Sequence, residues 1–249
     1  MKPIQHESFR VRLFDLTLPT PEENLALDDA LLDEAEAAGA PRETLRLWEP
    51  PAPLVVLGRS SQVQSEVWYE RCREKKVPVL RRSSGGAAIV SGPGCLMYSL
   101  VLSLRTRPRL RMIDQAHQCV LAALADALRE RRTAVEHLGT SDLAVGGRKF
   151  SGNSLRVRRE HLLYHGTLLY DFPLHLIADC LRTPPRQPEY RAGRAHEAFV
   201  ANLSLPVETV RQAVMAAWPM DEEPGDWPRE RVATLVEEKY RREDWNLGR

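Results

Sequence analysis

The sequence predicts a single α+β domain over residues 1–249, with a helical tail from about 205 to 249. Three observations support this class. The 43% apolar content of a 249-residue chain is enough to build a sizeable core. Short apolar runs alternate with glycine and proline turns, whereas residues 112–132 repeat apolar side chains at helical spacing. Residues 142–170 are typical of three strands joined by tight turns.

The amino-terminal part of the chain predicts a strand, a capped helix and several short strands. Residues 9–16 alternate apolar and arginine side chains, the pattern of a half-buried strand. Thr20-Pro21, followed by Glu23, supplies an N-cap hydroxyl, a proline at the first helical position and a capping-box glutamate. A helix should therefore begin near Pro21 and end at Gly39. Later apolar runs predict strands at 44–48, 54–57, 77–80 and 96–104, with a charged helix at 66–75.

The remainder predicts one long helix, a strand meander and a helical end. The repeat at 112–132 indicates an amphipathic helix. Two turns, Gly146-Gly147 and a charged one, separate the strands of an antiparallel meander predicted at 142–145, 148–157 and 162–170. Further helices are predicted at 173–181, 207–218 and 229–241, with a loop rich in proline and arginine at 183–197.

Charge and cysteine usage narrow the class of protein. The chain has 35 Lys and Arg against 34 Asp and Glu, so its net charge indicates no nucleic-acid partner. The four cysteines form no CxxC pair and have no histidine at metal spacing, which fits a reducing cytoplasm. We expect neither a signal peptide nor a membrane partner, since no apolar run approaches the roughly eighteen residues of a membrane helix.

The first candidate motif is Arg81-Arg82-Ser83-Ser84-Gly85-Gly86-Ala87-Ala88, directly after a predicted strand. It lacks the Lys-Ser/Thr ending of a P-loop, which excludes a Walker-type site. Successive backbone N–H groups could still face an anion, and Arg82 could hold that anion through two donors. The same residues also fit a plain turn between strands with both arginines solvated.

The second motif is Gly147-Arg148-Lys149-Phe150-Ser151-Gly152-Asn153, at the start of a hairpin strand. Gly152 would let a ligand lie close over the backbone near Lys149. Asp142, before the turn, could bind Mg²⁺ or orient Lys149. The alternatives are an exposed edge lysine and an aspartate bonded to the local backbone.

A third segment, His165-Gly166-Thr167, lies within an apolar strand. A lone histidine in such a run fits a hydrogen-bonded core residue as well as a site residue. The sequence contains no Ser-His-Asp pattern and no nucleophile elbow, so a hydrolase is not indicated.

Taken in this order, the three motifs resemble the lipoate-protein ligase A family, within the biotin and lipoate protein ligases. Leu57-Gly58-Arg59 and Glu66-Val67 also match positions of that family. The resemblance implies a mixed, largely antiparallel sheet flanked by helices, with a site for an acyl-adenylate. It departs from the family pattern at Ala87, Ser91 and Ser141, which stand for glycine, histidine and asparagine.

By position, the resemblance implies that Lys149 contacts the phosphate and the reacting carbonyl, that Asp142 lies near the phosphate and Mg²⁺, and that His165 helps to shape the pocket. The other residues it implies in substrate binding are Arg82, Ser83, Ser84, Gly85, Gly86, Ala87, Gly152, Gly166 and Thr167. The implied reaction joins lipoate to ATP as lipoyl-AMP and then transfers the lipoyl group to a lysine. Apolar side chains such as Val55, Leu57 and Val79 could wall the acyl chain.

The acceptor implied is a lipoyl domain, of the 2-oxoacid dehydrogenase E2 or glycine cleavage H protein type. Two-domain ligases continue into an accessory domain beyond the point where this chain ends, so a separate accessory chain is a second candidate partner. One rival function is an octanoyl or lipoyl transferase that carries a preactivated acyl group on a cysteine, for which Cys180 and Cys95 are considered. The other rival is a non-catalytic acyl or nucleotide binding module.

Overall fold

A computed structural model of the chain describes residues 11–131, 133–220 and 225–248. Its larger sheet has seven strands in the order β1-β2-β6-β10-β9-β8-β7. β1 pairs parallel with β2, and all the other neighbours are antiparallel. The strands are β1 (Arg12–Asp15), β2 (Thr44–Trp48), β6 (Cys95–Ser103), β7 (Val135–Leu138), β8 (Asp142–Val145), β9 (Arg148–Val157) and β10 (His161–Leu169).

A second sheet of three short strands holds the first motif. β3 (Leu54–Leu57) lies at its centre, parallel to β4 (Val79–Arg81) and antiparallel to β5 (Ile89–Ser91). The glycine-rich turn therefore connects the two outer strands of this sheet. With the larger sheet and the flanking helices, this arrangement confirms the predicted mixed, largely antiparallel α+β fold.

Nine α-helices are described within these ranges. They are α1 (Pro21–Ala37), α2 (Val63–Glu66), α3 (Tyr69–Glu74), α4 (Ile113–Arg129), α5 (His175–Cys180), α6 (His196–Phe199), α7 (Val207–Ala216), α8 (Arg229–Leu235) and α9 (Glu243–Leu247). The structure also has 3₁₀ turns at Pro108–Arg111 and Glu189–Arg191, and a π-helical turn at Val236–Tyr240. No helix in the described part of the chain is long and apolar enough to cross a membrane.

The core has two parts, one on each face of the larger sheet. α1 packs with α8 and the smaller sheet on one face, around residues such as Leu27 and Trp48. α4 and α7 pack on the other face, around residues such as Leu124 and Tyr164. β6 and β10 are buried along their whole length because both faces are covered.

Most predicted elements are confirmed within a few residues, including the capping box of α1, where the Thr20 side chain and Glu23 bond reciprocally. The helix predicted at 66–75 is instead two short helices, α2 and α3. Strands β5 and β7 and helices α6 and α9 were not predicted. Residues 9 and 10 of the first predicted strand, and residue 132 of the long helix, lie outside the described residues.

The tail packs against the end of β4. Trp245 Nε1 donates to the Arg81 carbonyl at 2.9 Å, and the Arg81 backbone N–H donates to Asn246 Oδ1 at 2.9 Å. Arg81 is fully buried, and its guanidinium also donates to the Gly58 and Ser61 carbonyls. The alternative of a plain turn with solvated arginines is therefore wrong for Arg81. A single domain over 1–249 stays a prediction, which these contacts support.

A buried ion pair ties α1 to β2. Arg46 Nη1 lies 2.7 Å from Asp28 Oδ1, and both side chains are almost completely buried. Arg46 also donates to the Leu16 carbonyl and to Asn24. Burial opposes the ionisation of Asp28, yet the Arg46 charge and the neighbouring His165 ring keep the pKa of this carboxyl below its usual value. Asp28 therefore stays charged at neutral pH.

We predict that Arg46→Met destabilises the fold by about 3–5 kcal/mol at pH 7, because it leaves the Asp28 carboxylate buried without its cation. In the parent, the lowered pKa means that Asp28 contributes stability above pH ~4 and loses it as the pH falls through the folded pKa. In the variant, burial raises the pKa of Asp28, so the deficit should shrink between pH 7 and pH 5. Urea unfolding at both pH values measures this.

The matched control is Arg42→Met, which removes the partly exposed Arg42–Glu34 pair at 3.0 Å. It should change stability by less than about 1 kcal/mol at either pH. Equal deficits for the two variants would contradict the buried-pair account.

Candidate active site

A cavity of about 390 Å³ lies where the turn after β4, the β8–β9 hairpin and the middle of β10 come together. All three sequence motifs contribute to its wall. The predicted site residues that line it are Arg82, Gly86, Ala87, Asp142, Lys149, Gly152, His165, Gly166 and Thr167. The structure therefore brings most of the predicted set to one place.

Arg82 shapes the glycine-rich turn from inside. Its guanidinium is buried and donates to the Gly85 carbonyl at 2.5 Å, to the Ala87 carbonyl at 3.0 Å and to Ser84 Oγ at 3.1 Å. Burial lowers the pKa of Arg82 to about 10, so the group stays cationic at neutral pH. The expectation that Arg82 extends two donors to a ligand needs correction, because these donors fix the turn.

Ser83, Ser84 and Gly85 lie one layer behind the cavity wall and are not among its lining residues. The Ser83 hydroxyl donates to Asp29. Ser84 Oγ lies 2.5 Å from His165 Nε2, and Gly85 presents its carbonyl to the guanidinium. The three residues are expected to line the cleft, whereas in the structure they lie behind its wall and hold the turn in place.

Asp29 links this layer to the tail. Its carboxylate accepts hydrogen bonds from Lys239 Nζ at 2.7 Å and from the Tyr240 hydroxyl at 2.8 Å, and it pairs with Arg156 at 3.3 Å. Burial opposes ionisation, but the Lys239 charge and the hydrogen bonds from Lys239 and Ser83 hold the pKa of Asp29 below its usual value. The turn is thus anchored by a carboxylate that the tail keeps charged.

Two glycines set the conformation of the turn. Gly86 has φ +86°, the left-handed region that favours glycine. A Cβ on Gly58 would lie 1.8 Å from the Gly86 carbonyl oxygen, so only glycine at 58 lets the two segments approach. This contact gives a physical reason for the Leu57-Gly58-Arg59 pattern seen in the sequence.

A β-bulge directs the hairpin lysine. Ala144 pairs with Lys149, whereas Leu143 pairs with Ser151, so Phe150 is an extra residue on β9. Bulges re-aim side chains in this way next to functional sites. Phe150 is fully buried in the core, and Lys149 faces the cavity.

Lys149 forms an ion pair at the cavity wall. Its Nζ lies 2.7 Å from Asp142 Oδ1, and the other carboxylate oxygen accepts the Tyr190 hydroxyl at 2.8 Å. Asp142 is 8% exposed and Lys149 is 29% exposed, so the amine remains reachable from the cavity. This ion pair is the arrangement expected for the orienting role considered for Asp142.

The amine can lie there because residue 152 has no side chain. A Cβ on Gly152 would be 2.7 Å from Lys149 Nζ. On the next strand, a Cβ on Gly166 would be 1.8 Å from Asn153 Oδ1, which accepts the Tyr98 hydroxyl at 2.5 Å. Both glycines clear space for polar side chains that cross the strands.

His165 contacts the turn and α1. Besides the Ser84 contact, its Nδ1 lies 3.8 Å from Asp28 Oδ2. It is largely buried at one wall of the cavity. These contacts fit the predicted shaping role, since the ring is held between two neighbours.

A smaller and more apolar cavity of about 120 Å³ adjoins the first. The two share several wall residues, among them Ala88, Lys149 and Arg191. Apolar side chains that line the smaller cavity are Val90, Phe150, Leu169, Ile177, Leu181, Phe199 and Val200. Two chambers therefore meet beside the lysine, and the larger one carries more polar side chains.

Sequence reasoning missed other wall residues. Loop 183–197 folds over the cavity and contributes Arg186 and Arg191, and Tyr190 of the same loop bonds Asp142. On β3, Val56 lines the cavity instead of its neighbours. The predicted acyl wall of Val55, Leu57 and Val79 is wrong, since none of the three lines either cavity. Strand alternation could have separated Val56 from its neighbours.

The chain is similar in sequence to known proteins. The sequence pattern of the "Lipoyl protein ligase A/B catalytic domain" matches residues 20–218. A protein of Aeropyrum pernix named "Putative lipoate-protein ligase A" is 34% identical over 150 residues, which are 60% of this chain and 54% of that protein. The chain therefore spans about half the length of this relative.

Two solved structures share the fold. One is the bi-partite lipoate protein ligase of Thermoplasma acidophilum, described with its E2 lipoyl domain, with a TM-score of 0.79, 20% identity and 96% of both chains covered. The other is a lipoate-protein ligase A bound with ATP, with a TM-score of 0.77, 20% identity, and 96% of this chain and 99% of that chain covered. Together, the sequence pattern and the fold show that this chain belongs to the lipoyl protein ligase A/B catalytic domain family.

Proposed function

We propose that the chain is a lipoate-protein ligase: it joins lipoate to ATP, releasing pyrophosphate, and transfers the lipoyl group from lipoyl-AMP to a lysine of an acceptor lipoyl domain. One observation carries the proposal. The Lys149–Asp142 pair and the glycine-rich turn face the same cavity. A cation and a tight backbone turn around one cleft suit an activated acid, whose phosphate and carbonyl both carry negative charge during reaction.

In the first step, a carboxylate oxygen of lipoate attacks the α-phosphorus of ATP, and the bond to pyrophosphate breaks. Lys149 stabilises the charge that develops on the phosphate oxygens. Asp142 holds the amine in place, and the bulge at Phe150 directs the Lys149 side chain towards the cavity. The Gly86–Ala87 wall lets the nucleotide approach the backbone closely.

In the second step, the neutral amine of the acceptor lysine attacks the acyl carbonyl carbon. The carbonyl oxygen becomes an oxyanion beside Lys149. The bond between the acyl carbon and the AMP phosphate oxygen then breaks and the attacking nitrogen releases one proton to solvent, so AMP leaves and an amide remains. Adenylation supplies the good leaving group. The chain's contribution is to orient the reacting atoms and stabilise charge.

The two chambers suit the two halves of lipoyl-AMP. The smaller, apolar cavity would take the acyl chain, and the larger one would take the nucleotide. Lys149 lies at the wall shared by both, where the acyl phosphate would be. The ATP-bound and E2-associated ligases of the same fold are consistent with these ligands.

Mg²⁺ would enter this site with the nucleotide substrate. Among the described residues, no three His, Cys, Asp or Glu side chains group so as to hold a metal ion. One carboxylate oxygen of Asp142 forms the ion pair with Lys149, and the other accepts the Tyr190 hydroxyl. The predicted contact of Asp142 with Mg²⁺ stays a prediction, and we expect the phosphates of ATP to supply further ligands of the ion.

The partners follow from the reaction. The acceptor would be a lipoyl domain of the 2-oxoacid dehydrogenase E2 or glycine cleavage H protein type. A bi-partite ligase of the same fold supports a separate accessory chain as a second partner. All four cysteines are free, which suits a reaction in the reducing cytoplasm.

The cysteine-transferase alternative has less support. No cysteine lines either cavity within the described residues. Cys95 is fully buried, and burial raises the pKa of its thiol to about 12. A hydrogen bond from Cys72 lowers the pKa of the Cys180 thiol, but Cys180 is also fully buried, away from both cavities. A thiolate nucleophile needs access that these positions lack.

A single assay separates the three functions. The purified chain is incubated with a lipoyl domain and either lipoate with MgATP, or octanoyl-acyl carrier protein without ATP, and the domain is weighed by mass spectrometry. Mass gain only with ATP supports the ligase. Gain only with the carrier supports the transferase, and no gain in either, even with preformed lipoyl-AMP, supports the binding module.

We predict that Lys149→Ala lowers the rate of transfer from preformed lipoyl-AMP by about 10²–10³-fold, because the developing oxyanion loses its cation. Single-turnover mass spectrometry measures the rate. The matched control is Lys75→Ala, which breaks a second lysine–aspartate pair of the same 2.7 Å length, with Asp179, at the surface. Unchanged transfer in Lys149→Ala would contradict the mechanism.

We also predict that Gly152→Ala slows transfer at least about tenfold, because the new methyl group would displace Lys149 Nζ. If the effect acts through the lysine, the double variant Gly152→Ala/Lys149→Ala should be no slower than Lys149→Ala alone. Additive losses in the double variant would show that residue 152 acts by another route.

A further inference from the structure

Arg191 is a buried cation at the junction of the two cavities. The residue is 3% exposed, and it lines both the larger and the smaller cavity. It lies on the 3₁₀ turn of loop 183–197, which folds over the site. Among the described residues, Lys149 is the other cation common to the two walls.

Arg191 has neutral partners. Its Nε donates to the Arg194 carbonyl at 2.9 Å, one Nη lies 3.5 Å from His196 Nδ1, and the guanidinium carbon lies 4.8 Å from the centre of the Phe199 ring. No carboxylate in the described ranges pairs with it, in contrast to the buried Arg46, which has Asp28.

An unpaired buried charge is unfavourable in a protein interior unless an anion joins it. Burial, together with the charge of Arg194, lowers the pKa of Arg191, so its surroundings in the free chain disfavour the charge. The group nevertheless faces a cavity large enough for a ligand. The missing anion is therefore best sought in that ligand.

We propose that Arg191 is a substrate-binding residue that, with Lys149, holds the oxyanion where the acyl chain and the nucleotide meet. The bound group is an anion, held by two cations. It is either the carboxylate of the free acid or the phosphate of the nucleotide. The identity of these ligands rests on the proposed function, whereas the anion site itself rests on the position of Arg191.

Matched charged and neutral ligands test the proposal. Calorimetry would measure binding of AMP against adenosine, and of lipoate against lipoamide, to the parent, to Arg191→Met and to Arg191→Lys. Arg191→Met keeps an unbranched apolar stem but removes the charge. Arg191→Lys keeps the charge without the planar fork.

Arg191→Met should weaken binding of at least one anion by about 10- to 100-fold and leave its neutral counterpart within about threefold. Loss confined to AMP assigns the phosphate, and loss confined to lipoate assigns the carboxylate. Loss of both assigns a group that serves each in turn. Arg191→Lys should recover part of the lost affinity.

Stability supplies a second readout. Because no carboxylate of the described residues pairs with Arg191, the urea midpoint of Arg191→Met should equal or exceed that of the parent. The control is Arg194→Met, which removes a guanidinium that packs on the same Phe199 ring but donates to the Gly147 and Tyr190 carbonyls. It should lower the midpoint and leave the preference for charged ligands unchanged.

The proposal is overturned if Arg191→Met loses charged and neutral ligands equally, if it loses neither, or if the parent binds neither anion. These measurements need no turnover. A chain that fails to ligate lipoate but shows the Arg191-dependent preference would retain the anion site and lose the proposed function. A chain that ligates lipoate without that preference would keep the proposed function and lose the anion site.

Discussion

The site depends on one constraint: the amine of Lys149 can lie over the hairpin only because residue 152 has no side chain. The bulge at Phe150 sends the lysine towards the cavity, and Asp142 fixes the end of its side chain at 2.7 Å. Remove any of these and the cation moves relative to the turn. Catalysis by positioned charge is sensitive to displacements of about 1 Å, so the hairpin geometry decides whether the cavity can be an active site.

A second layer holds the opposite wall. Two consecutive carboxylates on α1 face different partners: Asp28 pairs with Arg46, and Asp29 accepts from Ser83 and Lys239. Both are buried and kept charged by their neighbours. Removing the cation from either carboxylate would destabilise the fold, because a buried charge would remain unpaired. The tail thereby takes part in the site without lining it, because its contacts fix the turn through Asp29 and Arg81.

Local patterns in the sequence predicted most of the fold. The capping-box residues predict the start of α1, the two flanking turns predict the long strand β9, and a nearly continuous apolar run predicts the buried strand β6. The three-residue strand β5 was not predicted, because so short a segment carries no periodicity. The motifs located the cavity. The positions of Tyr190 and Arg191 depend on how a distant loop folds over β9, and no local pattern encodes that.

The same limit explains the corrected residues. Ser83 and Ser84 stand beside a glycine-rich turn and suit anion binding by type, yet the turn directs them to Asp29 and His165. Val55 and Leu57 are apolar and near the site, but alternation along β3 gives the cavity to Val56. Residue types therefore predict the chemistry of the site. Which residue contacts the cavity depends on the direction of its side chain.

The central claim is that the glycine-rich turn after β4 and the Lys149 hairpin bind the same acyl-adenylate. A crystal structure with a non-hydrolysable lipoyl-adenylate analogue tests this most directly. The account predicts the group that replaces the acyl phosphate within about 3.2 Å of Lys149 Nζ, with Gly86 and Ala87 against the nucleotide. An analogue bound elsewhere, or bound in the cavity without touching Lys149, would contradict it.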